Sequence, residues 1–169
     1  MRLKPLLLTT LMGTILMSAP ATLMAKESSL KVAVIKDTTD SKNIINGEYK
    51  KTIANLSTTS NSLNFEESTS LCVAYLKAND KINAESACTA AITSSKHISS
   101  RNDNVNYLQS VSFNNRAVAR YLKNDYTGAM NDLASARAIH NNKLVKSNIT
   151  LMNSKIELID DSQTSSFAE

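Results

Sequence analysis

The chain predicts an all-α fold built from antiparallel helical hairpins, and three observations carry that prediction. Beyond residue 25 there is no proline, no tryptophan and only two glycines, Gly47 and Gly128. Apolar residues recur at the 3.6-residue spacing of a helix through most of what remains. Short polar breaks, such as Lys77-Ala78-Asn79-Asp80-Lys81 and Lys123-Asn124-Asp125, separate neighbouring periodic stretches. Helices joined so closely pack back to back as hairpins. The same scarcity of turn residues excludes a β-rich domain. Three isolated glycines also cannot build the phosphate-cradling loop of a nucleotide-binding motif.

The 169 residues open on an address. A basic start, Met1-Arg2-Leu3-Lys4, precedes an apolar run from Leu6 to Met17 and small residues through Ala25. This is the order of a secretory signal peptide over residues 1–25, with cleavage after Ala25 or after Ala21. The apolar run is too short to span a bilayer, which takes about 20 residues. Loss of Arg2 and Lys4 leaves 17 basic against 15 acidic residues, a net charge of +2. The charges are scattered rather than gathered into a stripe, so nucleic acid is not an expected partner. The mature chain is expected to be periplasmic or secreted, with no membrane insertion once the leader is gone.

Residues 26–43 form a polar N-terminal segment with one apolar patch, Val32-Ala33-Val34-Ile35. That patch fits a strand, an extended arm or a fraying first helix. The helical domain is expected over 44–159. Leu71, Cys72, Ala74, Tyr75 and Leu76 mark one helix, and Ala84, Ala87, Cys88, Ala91 and Ile92 the next. Phe113, Ala117, Val118, Tyr121 and Leu122 mark another, followed by Ala129, Met130, Leu133, Ala136 and Ile139. A last amphipathic helix runs from about Lys143 to Ile159, its outer face carrying Lys143, Lys146, Asn148, Asn153 and Lys155. Residues 160–169 have little to bury and are expected to form a disordered tail.

Two hairpins look like copies. Cys72 to Asp80 aligns with Ala117 to Asp125 at an offset of 45, which also sets Ala84 on Ala129, Cys88 on Leu133 and Ala91 on Ala136. Small residues at these places let helix backbones approach closely. The run Phe113-Asn114-Asn115-Arg116-Ala117, then Asn124-Asp125-Tyr126, Ala129, Leu133 and Ala136, resembles a tetratricopeptide repeat. The earlier hairpin, with Leu71, Cys72, Tyr75, Ala84 and Ala91, resembles it less closely. Asn46-Gly47-Glu48-Tyr49 with Ile53 and Leu56 looks like the turn and second helix of a truncated unit. Departures are plain: Lys96 and Asn141 stand where a closing proline is usual, and the offset exceeds the usual 34 residues. The excess falls in the polar stretch Ser94 to Asn106, a loop or helix extension. The resemblance implies a short α-solenoid with a C-terminal capping helix; a generic helical bundle is the alternative.

The resemblance also implies a function. First helices of such repeats line a groove that receives peptides, and here that groove would hold Thr69, Val73, Leu76, Lys77, Asn114, Asn115, Val118 and Tyr121. Amides can pair with a main chain, Tyr121 offers a rigid amphipathic contact, and Lys77 can meet a carboxylate. The plainer reading has Val73, Leu76 and Val118 packing on a neighbouring helix. Cys72 and Cys88 fall in the two helices of one hairpin, where an oxidising compartment would join them; kept reduced, they would act as small apolar residues. His97 and His140 have no metal-ligand spacing around them, and there is no nucleophile elbow. Asn55 and Asn148 head glycosylation sequons, which matter only in a eukaryotic host. The expected role is therefore an exported adaptor or scaffold holding another exported protein or peptide, without catalysis, metal or cofactor. The alternatives are a small helical cell-envelope enzyme with an unrecognised site, and a structural protein that self-associates.

Overall fold

The computed structural model describes residues 29–36, 38–59, 62–98 and 102–166, with side chains as far as Ile159; the expected signal peptide over residues 1–25 lies outside them. The described residues form helices and no strands: α1 Thr39–Ile45, α2 Tyr49–Ser57, α3 Phe65–Lys77, α4 Lys81–Ser95, α5 Asp103–Leu122, α6 Tyr126–Ile139 and α7 Lys143–Ser166. Each helix packs chiefly on its neighbours in sequence, as a solenoid-like stack of hairpins requires. Local chemistry starts these helices. Thr38 and Asn64 each close a reciprocal capping box, with Ser41 and Glu67. Asp80, Asn102 and Asp125 accept the N–H groups of Asn83, Val105 and Gly128.

The turns inside the three hairpins are the same turn three times. Asn46, Ala78 and Lys123 donate their N–H four residues back, to the carbonyls of Lys42, Ala74 and Ala119. The next residues, Gly47, Asn79 and Asn124, donate three residues back, and Glu48, Asp80 and Asp125 donate five back, to Asn43, Tyr75 and Arg120. The middle residue must enter the left-handed region, with φ of 82° at Gly47, 60° at Asn79 and 66° at Asn124. Glycine and asparagine are the residues that do so at least cost. The 45-residue offset thus reappears in the backbone.

Between the helices the core is lined by small residues. Cys72, Ala84, Cys88, Ala91, Ala117, Ala129, Leu133 and Ala136 are all buried. Cys72 and Cys88 are joined, with an S–S distance of 2.03 Å and Cα atoms 4.8 Å apart, tying α3 to α4. An ion-pair network fastens that hairpin to the next. Arg116 grips Asp132 through two bonds of 2.9 and 2.7 Å. Arg120 reaches Asp132 at 3.0 Å and Glu85 at 3.0 Å, and Lys123 also bonds Glu85. Arg120, at a place where the resemblance would expect an apolar or aromatic residue, thus bridges α4, α5 and α6.

The structure departs from expectation at three places. Phe113, matched in the resemblance to the large residue that opens a repeat's first helix, lies mid-helix, since α5 begins at Asp103. The long inter-unit stretch is thus partly loop and partly an extension of α5, capped by Asn102. The expected disordered tail is helical as far as Ser166, because no glycine or proline stops α7 after Lys143. Asn148, expected on the outer face of the cap, is fully buried. Its side chain meets the segment that precedes α1.

Candidate functional site

Residues 29–35 run as an arm with neither helix nor strand, ending in a bend at Lys36, and match the second of the three forms open to the Val32–Ile35 patch. The arm crosses the helices that alternate along the stack. At Lys31, Asn148 of α7 accepts the main-chain N–H at 2.9 Å and donates to the carbonyl at 2.7 Å. At Ala33, Asn115 of α5 does the same, at 2.9 Å in both directions. Asn114 adds a bond to the Lys31 carbonyl at 3.0 Å, and its own oxygen is held by Asn148 at 2.8 Å.

The spacing explains why two asparagines suffice. In an extended chain the N–H and C=O of residue i point to the same edge as those of residue i+2. Residues 31 and 33 therefore present one edge, and each receives one complete amide clamp. The helices read main chain as a strand edge would, with side-chain amides standing in for backbone. The alternate side chains Leu30, Val32 and Val34 are half-buried against the apolar clusters around Leu76 and Val118 and around Ile44, Val73 and Ala74. Lys31 and Lys36 stay exposed.

The eight groove residues expected from sequence divide accordingly. Asn114 and Asn115 hold the arm; Val73, Leu76 and Val118 belong to the clusters on which it packs. Thr69 is buried too, with its hydroxyl donated to the Phe65 carbonyl at 2.8 Å. Lys77 and Tyr121 remain accessible. With Ser29, Leu30, Leu122 and Lys155 they border an open cavity of about 420 Å³ beside the arm. Burial pushes the Tyr121 phenol above its ordinary pKa, against the opposing pull of Lys155. The phenol is therefore a neutral donor and acceptor on the cavity wall.

Asn148 is the site residue that the sequence conceals. Its helical register put it among lysines, and nothing local distinguishes it from a surface amide. Fully buried and triply bonded, it cannot carry a glycan in the folded chain, whereas Asn55 is exposed. The other polar cluster is structural. Ser110 sits 2.9 Å from the Ala136 carbonyl and 3.0 Å from that of His140, and accepts from Asn142, closing the end of α6. The His140 ring stacks edge-on to Tyr107 and lies 3.4 Å from Asp103. That serine hydroxyl is directed at main-chain carbonyls, not at the imidazole.

Compared with known protein families, curated proteins and solved structures, the chain matches none. Among the described residues no helix is long and apolar enough to cross a membrane, and no cluster of side chains could hold a metal ion.

Proposed function

We propose that this chain is an exported, tetratricopeptide-like interaction module that holds an extended stretch of another exported protein or peptide, and does no chemistry. The observation that carries the reading is the pair of amide clamps, Asn148 on residue 31 and Asn115 on residue 33. Main-chain recognition at two-residue spacing is how a groove accepts a peptide without demanding one exact sequence. The open cavity next to the clamps, walled by Tyr121 and Lys77, gives a ligand room beyond the arm. The joined cysteines agree with passage through an oxidising compartment.

Site-specific photo-crosslinking in the producing cell tests the proposal, with the probe at Tyr121 and a control at Ile82, which is 74% exposed on α4. The expected result is one polypeptide captured from Tyr121 and none from Ile82. Equal capture at both positions, or capture at neither, would overturn it.

A further inference from the structure

The groove already contains a peptide, and it is this chain's own. We infer that the stretch Leu30–Val34 is a resident ligand, and that the partner is an extended segment with the same alternation of aliphatic residues, which binds by taking its place. This rests on the groove reading above and names both its partner class and its regulation.

Three features carry the inference. Among the described residues, the hydrogen bonds that hold the arm's main chain all come from asparagine side chains, and they contact N–H and C=O groups that any residue except proline offers. Another extended chain can make every one of them. The side-chain requirement is also general: an aliphatic residue at every second position, as Leu30, Val32 and Val34 supply. Finally, the arm fits incompletely. All three of those side chains are only half-buried, and among the described residues the 420 Å³ cavity beside Leu30 stays open. A segment with a larger apolar side chain at that end fills space the resident leaves, and gains contacts the resident lacks.

Competition follows from the covalent link. The arm leads into α1, so it faces the groove at an effective concentration of about a millimolar. A partner in solution must outbind it, which sets a threshold that loosening the arm lowers.

The experiment titrates two labelled peptides by fluorescence anisotropy. One has the sequence of residues 29–36; the control has serine in the places of Leu30, Val32 and Val34. The proteins are the full chain and its Val32→Ser/Val34→Ser and Ala33→Pro variants. The first variant removes apolar contacts, and the second removes the N–H that Asn115 accepts. Circular dichroism verifies that each variant keeps its helices. The expected result is at least tenfold tighter binding of the aliphatic peptide to both variants than to the unaltered chain, and at least tenfold weaker binding of the control peptide. Equal affinity for altered and unaltered chains would overturn the resident-ligand idea. Equal affinity for the two peptides would overturn the aliphatic partner class but leave a main-chain-reading groove intact. No binding of either peptide to helical variants would remove the groove reading as well. A concentration-dependent dimer of the unaltered chain that the peptide dissolves would make a second copy the occupant, and overturn the proposed partner.

Discussion

Asn148→Ala is the sharpest perturbation of this structure. It deletes three hydrogen bonds at once: one accepted from Lys31, one donated to Lys31 and one donated to Asn114. The two bonds to Lys31 are worth about 1 kcal/mol each, because the exposed arm can turn to water when they are lost. The Asn114 oxygen is different. It lies in a fully buried side chain, and an orphaned buried acceptor costs about 1–3 kcal/mol. The sum has a ceiling, since water reaches Asn114 once the arm lifts away. A loss of about 3 kcal/mol is expected, which lowers Tm by about 6–12 °C for a chain of this length. Urea titration and thermal melts followed by circular dichroism measure it. Hydrogen exchange at the Lys31 and Ala33 amides locates it, because release of the arm should abolish their protection. Asn148→Asp keeps the volume and one acceptor but loses both donations, so it should fall at least as far. Stability within about 0.5 kcal/mol of the unaltered chain, with both amides still protected, would refute the clamp.

Further outcomes follow from the core. Reducing Cys72–Cys88 opens a covalent loop with a sequence separation of 16, and chain entropy makes that worth about 3 kcal/mol; urea midpoints with and without reductant measure it. Asp132→Ala takes from Arg116 the carboxylate it grips and leaves Arg120 with Glu85, and should cost about 3 kcal/mol, read by the same titration. Hydrogen bonding from Lys123, with Arg120 assisting against the cost of burial, holds the Glu85 carboxyl below its ordinary pKa of 4.5. A carboxyl lowered in the folded state stabilises fully above its unfolded value and loses that contribution as pH falls through the folded one. Glu85→Gln should therefore be less stable than the unaltered chain at neutral pH, with the gap closing below about pH 4.5. A gap that is constant with pH would show that the Glu85 charge is not what matters.

Much of the architecture was legible because its causes are local. The 3.6-residue period and the polar breaks Lys77–Lys81 and Lys123–Asp125 act within a few residues of themselves, and the helices meet where those breaks place their turns. The cysteine pair was legible for the same reason: its two members sit on adjoining helices of one short hairpin. Helix limits set by the absence of a stop were harder. Asn102 caps α5 but is one polar residue among many in its stretch, ahead of the apolar period, and no residue marks that α7 continues through its polar end.

The sequence by itself determined an all-α chain of hairpins, the 45-residue offset that relates two of them, and a set of amides and apolar residues suited to line a groove. Only the tertiary structure decided what lies in that groove. The bonds between the arm and its clamps join residues 82 to 117 positions apart. At that separation a pairing leaves no periodic or spacing signal, because it depends on where three helices stand relative to one extended strand. Asn148 and the Val32–Ile35 patch were each ambiguous alone. Burial gave Asn148 the main chain of Lys31, beside the patch, and gave Asn115 that of Ala33 within it, since a buried amide must find a hydrogen-bond partner and an extended main chain must find an edge.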